Sequence, residues 1–127
     1  QAGMGRRQVQ GRLRVLARAM SEAAIQHAIR AAVVRTGRAT LWRNSVGFDR
    51  ERNVKYGLGL GSPDLVGCLF PSGRLFALEV KTPTGRVSPD QKLWHGAARK
   101  LGAFVAVVRS VDEALAALER AHNGESE

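Results

Sequence analysis

Fourteen residues separate Asp64 from Glu79, and Lys81 follows Glu79 two places later, within Pro63-Asp64-Leu65-Val66 and Leu78-Glu79-Val80-Lys81. Two carboxylates brought together offer hard oxygen donors to a divalent cation such as Mg²⁺ or Mn²⁺, and a neighbouring ammonium offsets negative charge on a phosphoryl group. A lone Glu-x-Lys is usually a solvated pair at a sheet edge. Whether these three side chains do more depends on the elements that carry them.

Leu65–Phe70 and Leu75–Leu78 are rich in strand formers, and Pro71-Ser72-Gly73-Arg74 between them supplies turn chemistry, so the two runs are expected to pair as an antiparallel hairpin. Side chains alternate along a strand, which puts Phe76, Leu78 and Val80 on one face and Ala77, Glu79 and Lys81 on the other. Asp64, at the start of the first strand, then reaches the same end of the sheet as Glu79, where the Val80 carbonyl is a further oxygen donor.

The flanking segments predict the rest of the architecture. Residues 21 to 36 read as a helix capped by Ser21, with Ile25, Ile29, Ala32 and Val33 facing inward and Glu22 on that same stripe. Glu22 is either an acid with a partner at the core-facing side or a first-turn acid set against the helix dipole. Gly37 ends the helix, Ala39–Val46 reads as a strand, and Phe48–Leu60 reads as a polar, glycine-rich connection. Its Gly57-x-Gly59-x-Gly61 precedes a strand and opens no helix, so it is no dinucleotide loop, and no nucleotide cofactor is expected. Ser88-Pro89-Asp90-Gln91 carries a capping box for a helix running to about Leu101 and Gly102. His95, one turn after Gln91, either borders the site or is an ordinary surface or hydrogen-bonded histidine. Ala103–Val108 is a buried strand, and Ser110-Val111-Asp112-Glu113 caps a last helix. A strand–helix–strand crossover beside an antiparallel hairpin makes the sheet mixed.

At 127 residues the chain has room for one core. The single Cys68 lies in an apolar strand and is expected to be a small buried thiol, and no run approaches the roughly 18 to 20 apolar residues that span a bilayer. No signal-peptide pattern opens the chain; a cytoplasmic setting and no membrane partner are expected. The net charge of +9 is one-sided: residues 1–58 hold twelve Lys and Arg against three acids, and residues 59–127 hold eight of each. Such an excess favours a polyanion, foremost nucleic acid. Residues 6–20 carry five arginines and no acid, as a basic helix or an arm ordered on DNA or a partner subunit.

Taken in order, Ser21-Glu22-Ala23-Ala24-Ile25-Gln26, Trp42-Arg43-Asn44, Gly57 through Leu65, Glu79-Val80-Lys81, Gly85 through Gln91 and Gly102 through Arg109 resemble the VRR-NUC branch of the PD-(D/E)xK nucleases, especially small stand-alone phage-type members. The resemblance spans roughly Ser21 to Leu118. It implies an α/β fold with an αβββαβ core, a mixed sheet flanked by helices, occupying residues 21–121 between a basic segment (1–20) and a flexible tail (122–127). It also implies a Mg²⁺- or Mn²⁺-dependent DNA endonuclease leaving 5′-phosphate and 3′-hydroxyl ends, acting on branched DNA such as Holliday junctions as a homodimer. Asp64, Glu79 and the Val80 carbonyl would hold metal. Glu22 would reach it through water, Lys81 would act on the attacking water, and Gln91 would face the site. Arg12, Arg14, Arg18, Arg43, Asn44 and Lys55 are the expected DNA contacts. A flap or fork nuclease and a non-catalytic DNA-binding module of the same fold are the alternatives.

Overall fold

The computed structural model describes residues 22–127. A helix over residues 22–35 (α1) is closed by Gly37 in the left-handed region at φ 71°. The chain continues through β1 (Ala39–Arg43), β2 (Gly47–Asp49), β3 (Val54–Tyr56), β4 (Leu65–Leu69), β5 (Leu75–Val80), α2 (Pro89–Lys100), β6 (Phe104–Val108) and α3 (Val111–His122). The main sheet has the order β1-β4-β5-β6, with the first three strands antiparallel and β6 parallel to β5, so it is mixed as expected.

Alternation along β5 decides the layers. Phe76, Leu78 and Val80 join Ile29 and Val33 of α1, Leu41, Leu65, Phe104, Val108 and the apolar side of α3 in the larger core. Ala77 faces the opposite way and packs with Val66, Val105, Trp94 and Ala98 under α2. Helices α1 and α3 thus cover one face and α2 the other. Helix α2 begins with the expected capping box: the Ser88 hydroxyl accepts from the Gln91 N–H, and the Gln91 side-chain amide oxygen accepts from the Ser88 N–H.

Three expectations are corrected. The first strand stops at Arg43 instead of Val46, because the Asn44 side chain turns into the following loop. The connection from Phe48 to Leu60 is not irregular throughout: β2 and β3 pair as a second antiparallel hairpin, Phe48 opposite Lys55. Its turn is made by the Asp49 carboxylate, which accepts from the N–H groups of Glu51 (3.0 Å) and Arg52 (3.2 Å), and by Asn53 at φ 54°. Cys68 is half-buried, on the β4 face opposite Leu65 and Leu69. The basic segment with Arg12, Arg14 and Arg18 lies outside the described residues. At the other terminus Arg120 pairs with Glu127.

Candidate active site

The β4–β5 register fixes the meeting of the two acids. Leu65 lies opposite Leu78, so one step further Asp64 stands opposite Glu79, and both side chains project to the α2 face. The row extends on both sides: Glu79 pairs with Val107 of β6, and the Asn44 N–H donates to the Asp64 carbonyl at 2.8 Å. The Asp64 carboxylate accepts from the Val80 N–H at 2.9 Å, which holds it over the end of β5. The N–H and C=O of one strand residue point to the same edge, so the Val80 carbonyl shares that edge with Asp64.

Electrostatics mark this pair. The Asp64 carboxyl is pushed up from 3.8 to about 7, first by burial, then by its hydrogen bond to Glu79 and by the charge of Glu79; the Val80 N–H and the Lys81 ammonium act the other way. Two carboxylates this close resist ionising together. Glu79 is 2% exposed, and its Oε1 has no hydrogen-bond partner among the described residues. A divalent cation would supply the charge that both groups lack, and their oxygens are the donors that Mg²⁺ and Mn²⁺ prefer. Among the described residues no compact group of three His, Cys, Asp or Glu joins them, so backbone carbonyl, water or substrate oxygens must complete any coordination.

Sequence reasoning underweighted His95. It is neither surface-exposed nor hydrogen-bonded: it is 2% exposed, and its Nε2 sits 3.6 Å from Glu79 Oε1 with no partner of its own. Burial, then Arg99 and Lys81, lower its pKa, which keeps the imidazole neutral. The spacing Gln91-x-x-x-His95 was the available signal, since it puts both residues on one side of α2.

The other expected residues are distributed around this centre. Lys81 is half-buried just beyond β5, and its N–H donates to the Val108 carbonyl. Gln91 is half-buried at the start of α2, its amide oxygen committed to the capping box. Glu22 is exposed in the first described turn of α1 instead of facing the core; its neighbour Ala23 lines a cavity with Arg43 and Leu65. Arg43 is exposed at the end of β1, and Lys55 is exposed on β3. Asn44 was expected on the DNA face, but its amide works inside the molecule. It donates to Ser62 Oγ (2.7 Å) and the Pro63 carbonyl (2.8 Å) and accepts from the Leu58 N–H (3.2 Å).

Those bonds seat the glycine-rich loop beside the site. Gly61 adopts φ 84°, and a Cβ there would collide with the Asp90 carbonyl and approach the Gln91 nitrogen, so only glycine lets the loop lie against the first turn of α2. Trp94 on α2 also donates to the Leu58 carbonyl at 3.3 Å. The loop is therefore anchored from both β1 and α2.

Residues 17–112 match the family model described as the VRR-NUC domain. A solved structure of a VRR_NUC domain superposes with a TM-score of 0.55 at 26% identity, covering 77% of this chain and 94% of that one. No curated protein matches the chain. No helix among the described residues is long and apolar enough to cross a membrane.

Proposed function

This chain belongs to the VRR-NUC domain family and has its nuclease-type fold, and from that premise we propose that it hydrolyses phosphodiester bonds in DNA at the Asp64–Glu79 row, with Mg²⁺ or Mn²⁺. The observation that carries the proposal is the pairing of Asp64 with a buried, partner-poor Glu79: burial first, and then Glu79, push the Asp64 carboxyl up to about 7. Structural ion pairs ordinarily satisfy their members; two facing acids with an orphaned oxygen form a site built for a cation. When bound, such an ion withdraws charge from the scissile phosphoryl group and acidifies a water. The chain's own residues do the rest. Asp64 and Glu79 hold their oxygens over the end of β5, and the Val80 carbonyl adds a donor on the same edge. Lys81 orients the attacking water and offsets charge that builds on the phosphate oxygens in the transition state. Water adds to phosphorus as the P–O3′ bond breaks, leaving a 5′-phosphate and a 3′-hydroxyl. His95 steadies Glu79 from beneath, and Glu22 acts from the rim through water.

The substrate we propose is branched DNA, cut by a two-fold homodimer. Symmetric cleavage of a four-way junction needs two sites, and one small domain supplies one. The insertion between β1 and β4 exposes Phe48, Val54, Tyr56, Leu58 and Leu60, the last 75% exposed. Large apolar side chains so concentrated suit a surface that a second copy covers. The remaining phosphate contacts are assigned to Arg43 and Lys55 and, in the basic segment, to Arg12, Arg14 and Arg18.

The test is incubation of purified protein with labelled linear, flap, fork and four-way substrates, with Mg²⁺, Mn²⁺ or EDTA, alongside light scattering. Paired cuts in the junction that need a divalent ion and vanish in Glu79→Gln, from a particle of twice 13.7 kDa or an even multiple, are expected. Metal-independent cutting, or wild-type rates in Glu79→Gln, overturns the assignment.

A further inference from the structure

Helix α1 presents two faces. Ile25, Ile29 and Val33 turn to the core, while Ala23, Gln26, His27, Arg30, Ala31 and Val34 recur at the spacing of a second stripe along the opposite side. That stripe is hollowed into two adjoining depressions. One, of about 190 Å³, is lined by Ala23, Gln26, His27, Arg30, Arg43 and Leu65. The other, of about 170 Å³, shares His27 and Arg30 and continues along the helix to Val34.

The first depression is built for an anion. Two arginines line it from different elements, Arg30 from α1 and Arg43 from the end of β1, with His27 and Gln26 as further donors. Among the described residues no carboxylate lines it; Glu22, the residue before Ala23, is not part of its wall. Arg30 is also pre-organised: its Nε donates to the Leu41 carbonyl at 2.8 Å. That bond pins the plane of the guanidinium and leaves its two terminal nitrogens with no partner among the described residues, the fork that a phosphate accepts. Alanine at 23 keeps the floor open to backbone approach. Leu65, which pairs with Arg43 across β1 and β4, is the residue after Asp64, so the depression opens on the α1 side of the same sheet end whose α2 side carries the Asp64–Glu79 row.

We propose that this depression is a second phosphate subsite, which holds an internal phosphodiester of the cleaved strand, through Arg30, Arg43, His27 and Gln26, where that strand passes around the end of the sheet from the scissile bond. The subsite rests on the nuclease reading above and deepens it: it sets the direction in which the strand leaves the metal-binding row, across the end of β1 and along α1. A rigid arginine fork across the sheet end from the acids fixes the register of the strand without reading a base, as phosphate contacts do.

The test is a neutral-linkage scan in EDTA, where nothing is cut. Four-way junctions carrying one methylphosphonate at successive positions along each strand around the branch point are bound to wild type, Arg30→Gln, Arg43→Gln and the double variant. Circular dichroism melting serves as the check on folding. One linkage near the branch point is expected to cost wild type about tenfold in affinity, the weight of a charge-assisted hydrogen bond. In the double variant that position costs nothing further, while the other linkages keep their wild-type cost. Arg43→Gln alone, which breaks no internal hydrogen bond of the described residues, should halve the logarithm of the effect, so the outcome does not depend on whether Arg30→Gln folds. A scan profile unchanged in Arg43→Gln and in the double variant overturns the subsite. So does a profile that responds to removal of a 5′-terminal phosphate in place of an internal linkage. If the coupling appears but no divalent ion supports cleavage, the nuclease reading falls and the subsite stands; cleavage with an unchanged scan gives the reverse.

Discussion

Replacing Asp64 by asparagine removes one ionisation and little else, because the amide oxygen still accepts from the Val80 N–H. In the wild-type apo protein the carboxyl titrates near 7, against 3.8 in the unfolded chain. Between those values the native state holds a proton that the unfolded state has released, so stability is fully present below about pH 4, declines as pH rises to about 7, and is level above. The window is roughly three pH units at about 1.4 kcal/mol each, about 4 kcal/mol for a fully shielded group. Asp64 is only half-buried, and solvent screening reduces the expected loss to about 2 kcal/mol. Urea denaturation of wild type and Asp64→Asn in EDTA at pH 5, 6, 7 and 8 isolates it: the two curves should diverge, Asp64→Asn gaining about 2 kcal/mol relative to wild type by pH 8. Divalent cation should reverse the trend for wild type alone, since it competes with the proton and binds more tightly as pH approaches 7. Parallel pH profiles for the two proteins would refute the claim that Asp64 and Glu79 crowd each other.

Three further outcomes are expected. His95→Leu should keep the fold but raise the half-saturating Mn²⁺ concentration on the order of 10- to 100-fold, as read from metal-dependent melting; His95→Asn, which keeps an N–H donor, should lose less, and equal losses would make His95 a packing residue. Gly61→Ala should cost about 1–3 kcal/mol in urea, because it combines a left-handed φ with a collision against the first turn of α2; an unchanged midpoint would mean that the loop stands off that helix. Arg43→Ala should lower the slope of log K against log salt by about 0.9 on duplex DNA, and an unchanged slope would remove Arg43 from the phosphate contacts.

The hairpin β4–β5 and the start of α2 were legible in the chain because their signals are local. Pro71-Ser72-Gly73-Arg74 breaks two strand runs, and Ser88 and Gln91 satisfy each other across one helical turn. The pairing of Asp64 with Glu79 followed from those two strands alone. Hairpin β2–β3 was not legible: each strand has three residues, too short for alternation to show, and its turn depends on a side chain, Asp49, and not on a Gly or Pro pair. His95 was hard to weigh for another reason. Its burial is decided by the face of β5 that α2 covers, a tertiary fact, and its neighbours Lys92, Leu93 and Gly96 give it no apolar stripe to belong to. Asn44 looked like a surface donor next to Arg43; only the return of the chain at Pro63 shows where its amide is used. Glu22 carried the right helical phase, but the first described turn of α1 stands clear of the core.

The two bonds from Asn44 to the Asp64 and Pro63 carbonyl groups close the neck of the segment between them. Everything from Ser45 to Ser62 hangs from that clasp, so its two ends are held at a fixed separation whatever lies beyond. Lengthening such a loop is cheap, since doubling it adds only about 0.6 kcal/mol of closure entropy. The β2–β3 hairpin is therefore an exchangeable cartridge. A longer, shorter or differently charged insert can be grafted between Val46 and Tyr56 while the acids across the sheet stay in register.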